Sequence, residues 1–558
     1  MHRREFLQAL ALATISGTLP TSALGGDSAS LYRLPERKRV ASLIHLTDCH
    51  AQLLPIYHRE PSINIGVGDT PAQRTHLTGE SLLRTYGLRR GSRLAHALSC
   101  VDFEELARRY GRMGGFAHLA TLVKLIESQR PGAMLVDGGD TWQGSATALW
   151  TRGADMVAAS KALGVKVMTG HWEFTLGAER VTELIQRDMR GSIDFVAHNV
   201  FTRDFGDRVF LPYVIKDVAG IEIAIIGQAY PYTPIAHPKS LTPDWTFGIH
   251  EQSLRDTIAT ARKAGAAAVV LLSHNGVDVD LKLASRVEGL AAILGGHTHD
   301  PLPKPVLVKN NAGVTLVANG GSNGKFLGVL DIVSARGKMS CHYSLLPVFS
   351  NLLKPDDRMS SLIEELRQPF QPSLSKALTV TDDLLYRRGN FNGSFDEIIL
   401  EALQQSQDAE IALSPGFRWG TTLLPGSPVT VEDVMAQTAI TYPGITVRNL
   451  TGNEMKLALE DIADNLFNPD PYYRQGGDMV RTGGLTYTLN PRAAAGERIS
   501  NMQLKKKRIE ADRAYRVAGW ASVADNEPVG KPVWEVLRDY LSTTSSIHLE
   551  SINVPTLL

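Results

Sequence analysis

Short aliphatic runs recur along the first two thirds of the chain and alternate with longer stretches of helical spacing. The runs lie at 40–46, 133–136, 165–168, 221–226, 267–272 and 290–294, and each is apolar almost throughout. Runs of this length and composition are typical of strands that are buried on both faces of a sheet. The intervening stretches at 115–129 and 251–264 have the length and period of covering helices. The pattern therefore predicts a layered α/β domain over residues 38–350.

The pattern changes after this domain. Residues 351–372 contain a capped helical pattern that ends at a proline, which predicts a linker helix. From 373 to 558, helical stretches at 394–405, 430–437 and 454–465 mix with strand-like pieces at 411–413 and 485–489. The sequence therefore predicts a second domain of the α+β class.

A long insert separates the first strand-like run from the next helical stretch. Residues 54–112 are rich in Gly, Arg and His and show no clear period. Segments of this length without regular structure are either disordered or functional. Because the insert directly follows the first ligand-type motif, we expect it to form a wall or lid over the functional site.

The first 25 residues have the pattern of an export signal. A basic start is followed by an apolar stretch and by small residues that favour cleavage after Ala23. The pair Arg3-Arg4 before Phe6 favours the twin-arginine route, and a general secretory signal that contains two arginines is the alternative. No later apolar run reaches the length of a membrane span. We therefore expect a soluble mature protein in the periplasm.

Ligand-type side chains follow four of the predicted strands. They are two carboxylates and four imidazoles, namely Asp48, His50, Asp140, His274, His297 and His299. In open α/β sheets the carboxyl ends of the strands meet at one edge, so these side chains should converge. One metal ion does not need six such ligands, whereas two ions that share a bridging carboxylate do. The alternative is that each histidine is an ordinary buried polar residue, but four motifs in this order favour a dinuclear site.

Composition narrows the functional classes. Lys+Arg and Asp+Glu number 58 each, so no global charge attracts nucleic acid or an anionic membrane. The three cysteines are too few and uneven for a disulfide framework. Cys49 lies between Asp48 and His50 and points to the opposite face of its extended segment, which favours packing over metal ligation.

The order of the motifs D-x-H, G-G-D, S-H-x-G and G-G-H-T-H resembles the calcineurin-like metallophosphoesterases. With the added C-terminal half, the chain is similar to the periplasmic 5′-nucleotidases. The resemblance implies a four-layer α-β-β-α sandwich with two metals, joined by a linker helix to a substrate-binding domain. It also implies that Arg418 grips the substrate, and that Tyr472 and Tyr473 lie where nucleotidases have an aromatic clamp. Simple packing is the alternative for either tyrosine.

One motif departs from that family. Where it has G-N-H-E or G-N-H-D, this chain has Gly170-His171-Trp172-Glu173. The resemblance therefore implies that His171 is a seventh metal ligand, that Trp172 replaces the histidine that assists the leaving alkoxide, and that Glu173 is the orienting acid. Tryptophan is only a donor and cannot deliver a proton reversibly. This loss impairs phosphate-ester cleavage far more than cleavage that releases a thiolate or persulfide, which is stable as an anion.

This departure, with the segments 55–68 and 387–396, resembles the dimanganese thiosulfohydrolases of periplasmic sulfur oxidation. That resemblance implies two Mn²⁺ per chain and attack by a metal-bridging hydroxide on a cysteine S-thiosulfonate of the carrier complex SoxYZ, with release of sulfate. In the second domain, Arg388 and Asn392 are further candidates for substrate binding, whereas an ordinary surface position is the interpretation for the neighbouring Arg387. We expect a monomer without nucleic-acid or membrane partners.

Two alternatives remain open at this point. The first is a periplasmic 5′-nucleotidase or cyclic-nucleotide phosphodiesterase, in which His171 would protonate the leaving group instead of binding metal. The second is a metal-dependent carrier-binding protein without catalytic activity, against which the complete ligand set argues.

Overall fold

A computed structural model describes residues 28–68, 74–335, 338–525 and 529–558. The predicted export signal at residues 1–25 lies outside the described residues and stays a prediction. Within the described ranges, no helix is long and apolar enough to cross a membrane.

Two six-stranded sheets form the first part of the chain, with strands numbered in chain order. The first sheet contains, in spatial order, β14 (Lys338–Pro347), β13 (Phe326–Ala335), β1 (Val40–Leu46), β2 (Met134–Asp137), β3 (Val165–Met168) and β4 (Asp194–Phe195). The second contains β11 (Val306–Asn310), β12 (Gly313–Asn319), β10 (Ala292–Gly295), β9 (Ala268–Ser273), β7 (Ile221–Gln228) and β6 (Tyr213–Val218). Two short strands, β5 (Val200–Thr202) and β8 (Trp245–Phe247), pair separately.

Helices cover the outer face of each sheet. The helices of this part are α1 (Ser28–Leu31), α2 (Gly79–Tyr86), α3 (Arg93–Leu98), α4 (Phe103–Tyr110), α5 (Phe116–Gln129), α6 (Ala146–Trp150), α7 (Ala154–Leu163), α8 (Ala178–Glu183), α9 (Thr233–Ala236), α10 (Glu251–Lys263) and α11 (Val277–Arg286). Helix α7 contacts β3 and α5 on the first sheet, and α10 and α11 contact the second.

Alternation along strand β9 shows why its sequence is apolar throughout. Val270 and Leu272 lie in the core between the two sheets, together with Leu43 of β1. Val269 and Leu271 lie in the separate core beneath α10 and α11. Because successive side chains point to opposite faces of a strand, a strand between two apolar layers needs apolar residues at every position. The predicted α-β-β-α sandwich is confirmed.

The insert at 54–112 contains more regular structure than its sequence predicts. It includes the three short helices α2, α3 and α4, and its ends meet where the backbone N–H groups of Ile56 and Met113 each donate to the other's carbonyl, at 2.9 and 2.8 Å. The insert is therefore partly helical, although its sequence shows no clear period. Each of these helices is only six to eight residues long, which is too short to establish a clear hydrophobic period.

The predicted linker helix is present as α12 (Asp357–Arg367), followed by the short α13 (Gln371–Leu374). The side chain of Asp356 caps α12 by accepting a hydrogen bond from the N–H of Met359 at 3.0 Å. The domain boundaries at residues 350 and 372 stay a prediction.

The C-terminal part mixes helices with small sheets, which confirms the predicted α+β class. Its helices are α14 (Ser394–Gln407), α15 (Val431–Thr438), α16 (Gly452–Phe467) and α17 (Val533–Ser542). Its sheets are β15 (Ala377–Val380) with β17 (Pro428–Thr430); β18 (Ile445–Thr451), β23 (Ala514–Trp520), β16 (Ile411–Ser414) and β19 (Arg481–Gly483); and β22 (Lys507–Arg508), β21 (Ile499–Leu504), β20 (Leu485–Leu489) and β24 (Thr556–Leu557). Capping boxes at Thr430 and Thr451 begin α15 and α16.

Candidate metal centre

Seven side chains at the carboxyl ends of five strands form two buried clusters. The first cluster contains Asp140, His171, His274 and His297, and the second contains Asp48, His50, Asp140 and His299. Within each cluster the possible ligand atoms lie within 4.8 Å of one another. Both sheets contribute, since β1, β2 and β3 belong to one and β9 and β10 to the other. The arrangement has the geometry of a dinuclear metal site with Asp140 common to both halves.

Asp140 lies at the centre of the two clusters. One of its carboxylate oxygens is 3.0 Å from His274 Nε2 and 3.7 Å from His50 Nε2. Its carboxylate also lies 3.1 Å from His171 Nδ1, and it accepts a hydrogen bond from the backbone N–H of Trp172 at 2.8 Å. One carboxylate thus contacts imidazoles of both clusters.

The backbone at the strand ends is held in an uncommon conformation. Five of the seven candidate ligands have a left-handed backbone, with φ between 45° and 72°: Asp48, His50, Asp140, His297 and His299. Side-chain-bearing residues adopt this region rarely, and they do so mainly where a surrounding structure fixes them at a functional site. The tight turns aim the side chains off the strand tips toward the shared centre.

Orienting hydrogen bonds determine which ring nitrogen each histidine presents. His274 Nδ1 donates to the Gly138 carbonyl at 2.6 Å, and His297 Nε2 donates to the Gln475 carbonyl at 2.8 Å. His297 Nδ1 is therefore left as an acceptor and is buried without a hydrogen-bond partner in the described part of the chain, whereas His274 Nε2 faces the Asp140 carboxylate at 3.0 Å. A neutral imidazole that is fixed in this way is the usual protein ligand for a metal ion.

Burial and charge set the protonation of the clusters. Burial by itself lowers the pKa of His274, but the carboxylates of Asp140 and Asp48 outweigh it and raise that pKa to about 10. Burial lowers the pKa of His171 to about 4 and holds that of His297 well below its usual range. His171 and His297 are thus neutral near pH 7, as ligation requires, and a cation beside His274 would displace its proton.

The donor set fits divalent metal ions. It consists of carboxylate oxygens and imidazole nitrogens, and a buried imidazole nitrogen left without a partner costs about 1–3 kcal/mol unless a ligand satisfies it. Cys49, the nearest thiol in sequence, is fully buried in the apolar core, and burial raises its pKa well above the usual range, so it stays a packing residue. A site of oxygen and nitrogen donors without thiolate suits Mn²⁺ among other divalent ions.

Glu173 lies behind the clusters and orders their loops. Its carboxylate accepts hydrogen bonds from the backbone N–H groups of His171 at 2.8 Å, Thr141 at 2.7 Å and Asp140 at 3.2 Å. These bonds tie the loop after β2 to the loop after β3. Glu173 does not line the cavity at the clusters, so its contacts are those of a positioning residue.

A cavity of about 190 Å³ opens over the clusters, and aromatic side chains from both domains line one side of it. The rings of Trp172 and Trp419 meet edge to face with centroids 4.8 Å apart, and Phe417 stacks on Trp419 at 4.1 Å. Trp172 thus forms an apolar wall beside His171, together with two aromatic residues of the C-terminal part. We call Trp172, Phe417 and Trp419 the aromatic wall.

Arg418 and Arg388 both reach the loop that carries the last two histidines. Arg418 lines the cavity and donates to the carbonyls of His297 at 2.8 Å and Thr298 at 3.3 Å. Arg388 is buried and donates to the carbonyls of His299 at 2.9 Å and Thr298 at 3.2 Å. Arg388 does not line this cavity but an adjoining one of about 80 Å³, which Arg418 and His297 also line.

Three of the predicted substrate contacts are not brought to either cavity. The Asn392 amide donates to Glu397 at 2.6 Å and to the Asn553 carbonyl at 2.9 Å. The Tyr472 hydroxyl donates to Glu251 at 2.9 Å, and Tyr473 is 66% exposed. The packing interpretation therefore describes the position of Tyr472 better than a role in lining the site.

Several residues at the site were not predicted from the sequence. Tyr230 packs its ring between His171 and His297, with centroids 3.9 and 4.4 Å away, and His237 stacks on His171 at 5.1 Å. Tyr230 follows the end of strand β7, so the strand-end rule could have identified it. His237 lies further along the same loop and carries no comparable signal.

The insert contributes to the adjoining cavity. Its segment 61–65 and His76 line the cavity on one side, opposite Arg418 and His297. Part of the insert therefore forms a wall next to the candidate metal centre, as expected from its place in the sequence.

Known proteins resemble the chain in two ways. A family model described as the 5′-nucleotidase C-terminal domain matches residues 380–527. The structure of the sulfate thiohydrolase SoxB from Thermus thermophilus is 36% identical, covers 94% of this chain and 98% of its own, and superposes with a TM-score of 0.88. A 5′-nucleotidase precursor from the same species is 20% identical with a TM-score of 0.72, covering 93% and 99%, and shares the fold.

Curated relatives match a shorter region. The trifunctional nucleotide phosphoesterase YfkN of Bacillus subtilis is 25% identical over 55% of this chain and 21% of its own length. The 5′-nucleotidase of Rattus norvegicus is 24% identical over 46% of this chain and 47% of its own length. The chain thus spans between a fifth and a half of the length of these relatives. The sequence similarity over that region indicates a shared hydrolase superfamily.

Proposed function

The chain belongs to the SoxB family, and on that premise we propose that it is a metal-dependent S-sulfosulfanyl-L-cysteine sulfohydrolase. Its substrate would be a cysteine S-thiosulfonate on the carrier complex SoxYZ, and its product would be sulfate. Export by the twin-arginine route would bring it to the periplasm, where it would act as a monomer with two Mn²⁺.

The aromatic wall carries this proposal. Trp172 lines the cavity next to His171, where related phosphoesterases have a histidine that protonates the leaving group. An alkoxide leaves poorly without a proton, whereas a persulfide leaves readily as an anion. The polarisable ring faces of the wall also favour contact with sulfur. A site of this composition favours cleavage at sulfur over cleavage of a phosphate ester.

The reaction is a hydrolysis without net redox change. An oxygen of water bonds to the sulfonate sulfur, and the bond from that sulfur to the adjacent sulfane sulfur breaks with its electron pair on the sulfane sulfur. The carrier keeps a persulfide anion, sulfate leaves, and the two protons of water pass to the solvent. Two divalent metals held by the Asp and His clusters would lower the pKa of water and neutralise the sulfonate oxygens. Asp140 would contact both ions, and His171, His274 and His297 would complete one half of the site.

Arg418 is the candidate anchor for the sulfonate. Its guanidinium lines the cavity, and it uses two of its five N–H donors on the carbonyls of His297 and Thr298. The remaining donors can pair with sulfonate oxygens in the planar geometry that guanidinium groups favour. Arg418 would then act as a catalytic residue in direct contact with the substrate.

Parallel assays on the metal-loaded protein test this function. Sulfate release from thiosulfonate-loaded SoxYZ is expected, with phosphate release from AMP at least about a hundredfold slower, because a missing general acid costs about 10²–10⁴-fold on an alkoxide. Fast AMP turnover without sulfate release would instead support the 5′-nucleotidase alternative.

A ligand variant separates catalysis from binding alone. His297→Ala is expected to abolish sulfate release, whereas His548→Ala, a change of an exposed histidine beside Asp383, leaves it intact. Unchanged sulfate release in His297→Ala would contradict the proposed role of the clusters. Retained carrier binding without any sulfate release in the parent protein would favour the non-catalytic alternative.

A further inference from the structure

Two arginines of the C-terminal part hold three successive carbonyls of the His297-Thr298-His299 loop. Arg418 donates to the first two carbonyls, and Arg388 donates to the last two at 3.2 and 2.9 Å. The loop between β10 and β11 therefore presents its imidazoles to the metal clusters while its backbone is fixed from the other domain. His297 and His299 both have left-handed backbones, with φ of 72° and 62°. A loop in this conformation needs such external support.

The guanidinium of Arg388 is itself locked in place. Glu60 of the insert accepts from its Nη1 at 2.7 Å, and Asp300 accepts from its Nη2 at 2.7 Å. Lys325 of the first domain pairs with the other oxygen of Glu60 at 2.6 Å. Arg388, Glu60 and Lys325 are each more than nine-tenths buried. The guanidinium of Arg388 pairs with two different carboxylates and thus joins the insert, the loop of the metal ligands and the C-terminal part at one point.

His299 is the ligand closest to this point. Its carbonyl accepts from Arg388, while its Nε2 lies 3.3 Å from Asp48 Oδ1 and 2.9 Å from His50 Nε2. A change in the backbone at His299 therefore moves the imidazole relative to the second cluster. Groups that orient a ligand without touching the metal contribute strongly to metal affinity.

We propose that Arg388 is a positioning residue for the metal centre, so that docking of the C-terminal domain completes the second metal cluster. This role replaces the substrate contact that its sequence position suggested, because both Nη atoms are engaged by Glu60, Asp300 and loop carbonyls. The inference rests on the two clusters holding metal ions and does not depend on the sulfur reaction.

A second buried arginine provides a matched control. Arg367 belongs to the linker helix α12, is 8% exposed and pairs with both carboxylate oxygens of Glu432 in the C-terminal part, at 2.7 and 3.0 Å. It also donates to Gln371 at 3.4 Å, and none of these described contacts is with a candidate metal ligand. Arg367 therefore reproduces a buried ion pair between an arginine and a carboxylate without the contact to the loop of metal ligands.

The experiment compares Arg388→Lys with Arg367→Lys in the full-length protein. Lysine keeps the charge beside the carboxylates but loses the fork that reaches two carbonyls at once. Titration of the metal-free proteins with MnCl₂ is expected to give about 10–100-fold weaker binding of one Mn²⁺ in Arg388→Lys. Arg367→Lys should bind both ions as the parent does. The electron paramagnetic resonance spectrum of the bound Mn²⁺ should change only in Arg388→Lys.

Two results would overturn the proposal. Equally weakened Mn²⁺ binding in both variants would show that the effect comes from domain docking in general. Mn²⁺ binding like that of the parent in Arg388→Lys would show that Arg388 does not position the metal centre. If Arg388→Lys does not fold, Asp300→Asn keeps an oxygen acceptor for Arg388 but removes the negative charge and the oxygen that accepts from Asn64. Asp300→Asn is expected to weaken the binding of one Mn²⁺ by about three- to tenfold. Unchanged Mn²⁺ binding in this variant would contradict the proposal.

Discussion

His297 Nε2 lies 2.8 Å from the carbonyl oxygen of Gln475, so the C-terminal domain orients a candidate metal ligand of the first domain. The Tyr230 hydroxyl donates to the same carbonyl at 2.7 Å. The contact depends on the absence of a side chain at Gly476, where a Cβ atom would lie 2.8 Å from His297 Nε2. The backbone of residues 475–476 is therefore part of the surroundings that fix the metal centre.

Gly476→Ala is expected to weaken metal binding at least about tenfold, because the added methyl group displaces the His297 imidazole. The left-handed φ of +78° adds a conformational cost of about 1–2 kcal/mol. Gly426→Ala is the control, since Gly426 has a φ of +82° and no described atom within 4 Å of the added methyl. Both variants should lose similar unfolding free energy in urea, and only Gly476→Ala should lose metal in a Mn²⁺ titration. Equal metal binding would contradict the steric argument.

His171→Ala is expected to reduce the bound metal from two ions per chain to one. His171 belongs to the first cluster, and its side chain supplies one of the four possible ligand atoms of that cluster. His237→Ala is the matched control, because His237 is equally buried and stacks on His171 at 5.1 Å but belongs to neither cluster. Elemental analysis after gel filtration measures both. Two ions at full occupancy in His171→Ala would exclude it as a ligand.

The sequence predicts the first domain well because its signals are local. The buried strands are almost wholly apolar, His274 follows its strand directly and Asp140 comes three residues after its strand, so a rule about strand ends locates the ligands. The contacts of Arg388 with His299 and of Gln475 with His297 join residues 89 and 178 positions apart, and the contact of Trp419 with Trp172 also crosses between the domains. No local pattern encodes them. For the same reason, the motifs predicted substrate contacts for Asn392 and Tyr472, but both residues lie away from the cavity.

Trp172→His is expected to raise AMP hydrolysis by at least about tenfold, because it restores a group that can protonate the leaving alkoxide. The gain should be small with 4-nitrophenyl phosphate, whose leaving group needs little protonation. A comparison of phosphate release from the two esters therefore separates proton donation from better binding. Trp150→His, at a partly exposed tryptophan away from the cavity, should change neither rate. Equal gains on both esters would argue against a missing general acid.

Glu397 makes the stability of the C-terminal domain depend on pH. Burial raises the pKa of its carboxyl from 4.5 to about 7, although hydrogen bonds from Asn553 and Asn392 act in the opposite direction. Between pH 4.5 and 7 the folded chain therefore holds a proton that the unfolded chain has released. Stability from this group is fully present below pH 4.5 and is lost as the pH rises through 7.

Glu397→Gln removes this titration while keeping an acceptor for Asn392. The unfolding free energy of the variant relative to the parent should therefore rise from pH 5 to pH 8, by on the order of 1 kcal/mol after allowance for partial solvent exposure. Urea unfolding at the two pH values measures the difference. Glu401→Gln, one helical turn further along α14, is the control. Its unfolding free energy relative to the parent should change less between pH 5 and pH 8 than that of Glu397→Gln. Parallel pH profiles for Glu397→Gln and the parent would show that the carboxyl is already ionised at pH 5 in the folded chain.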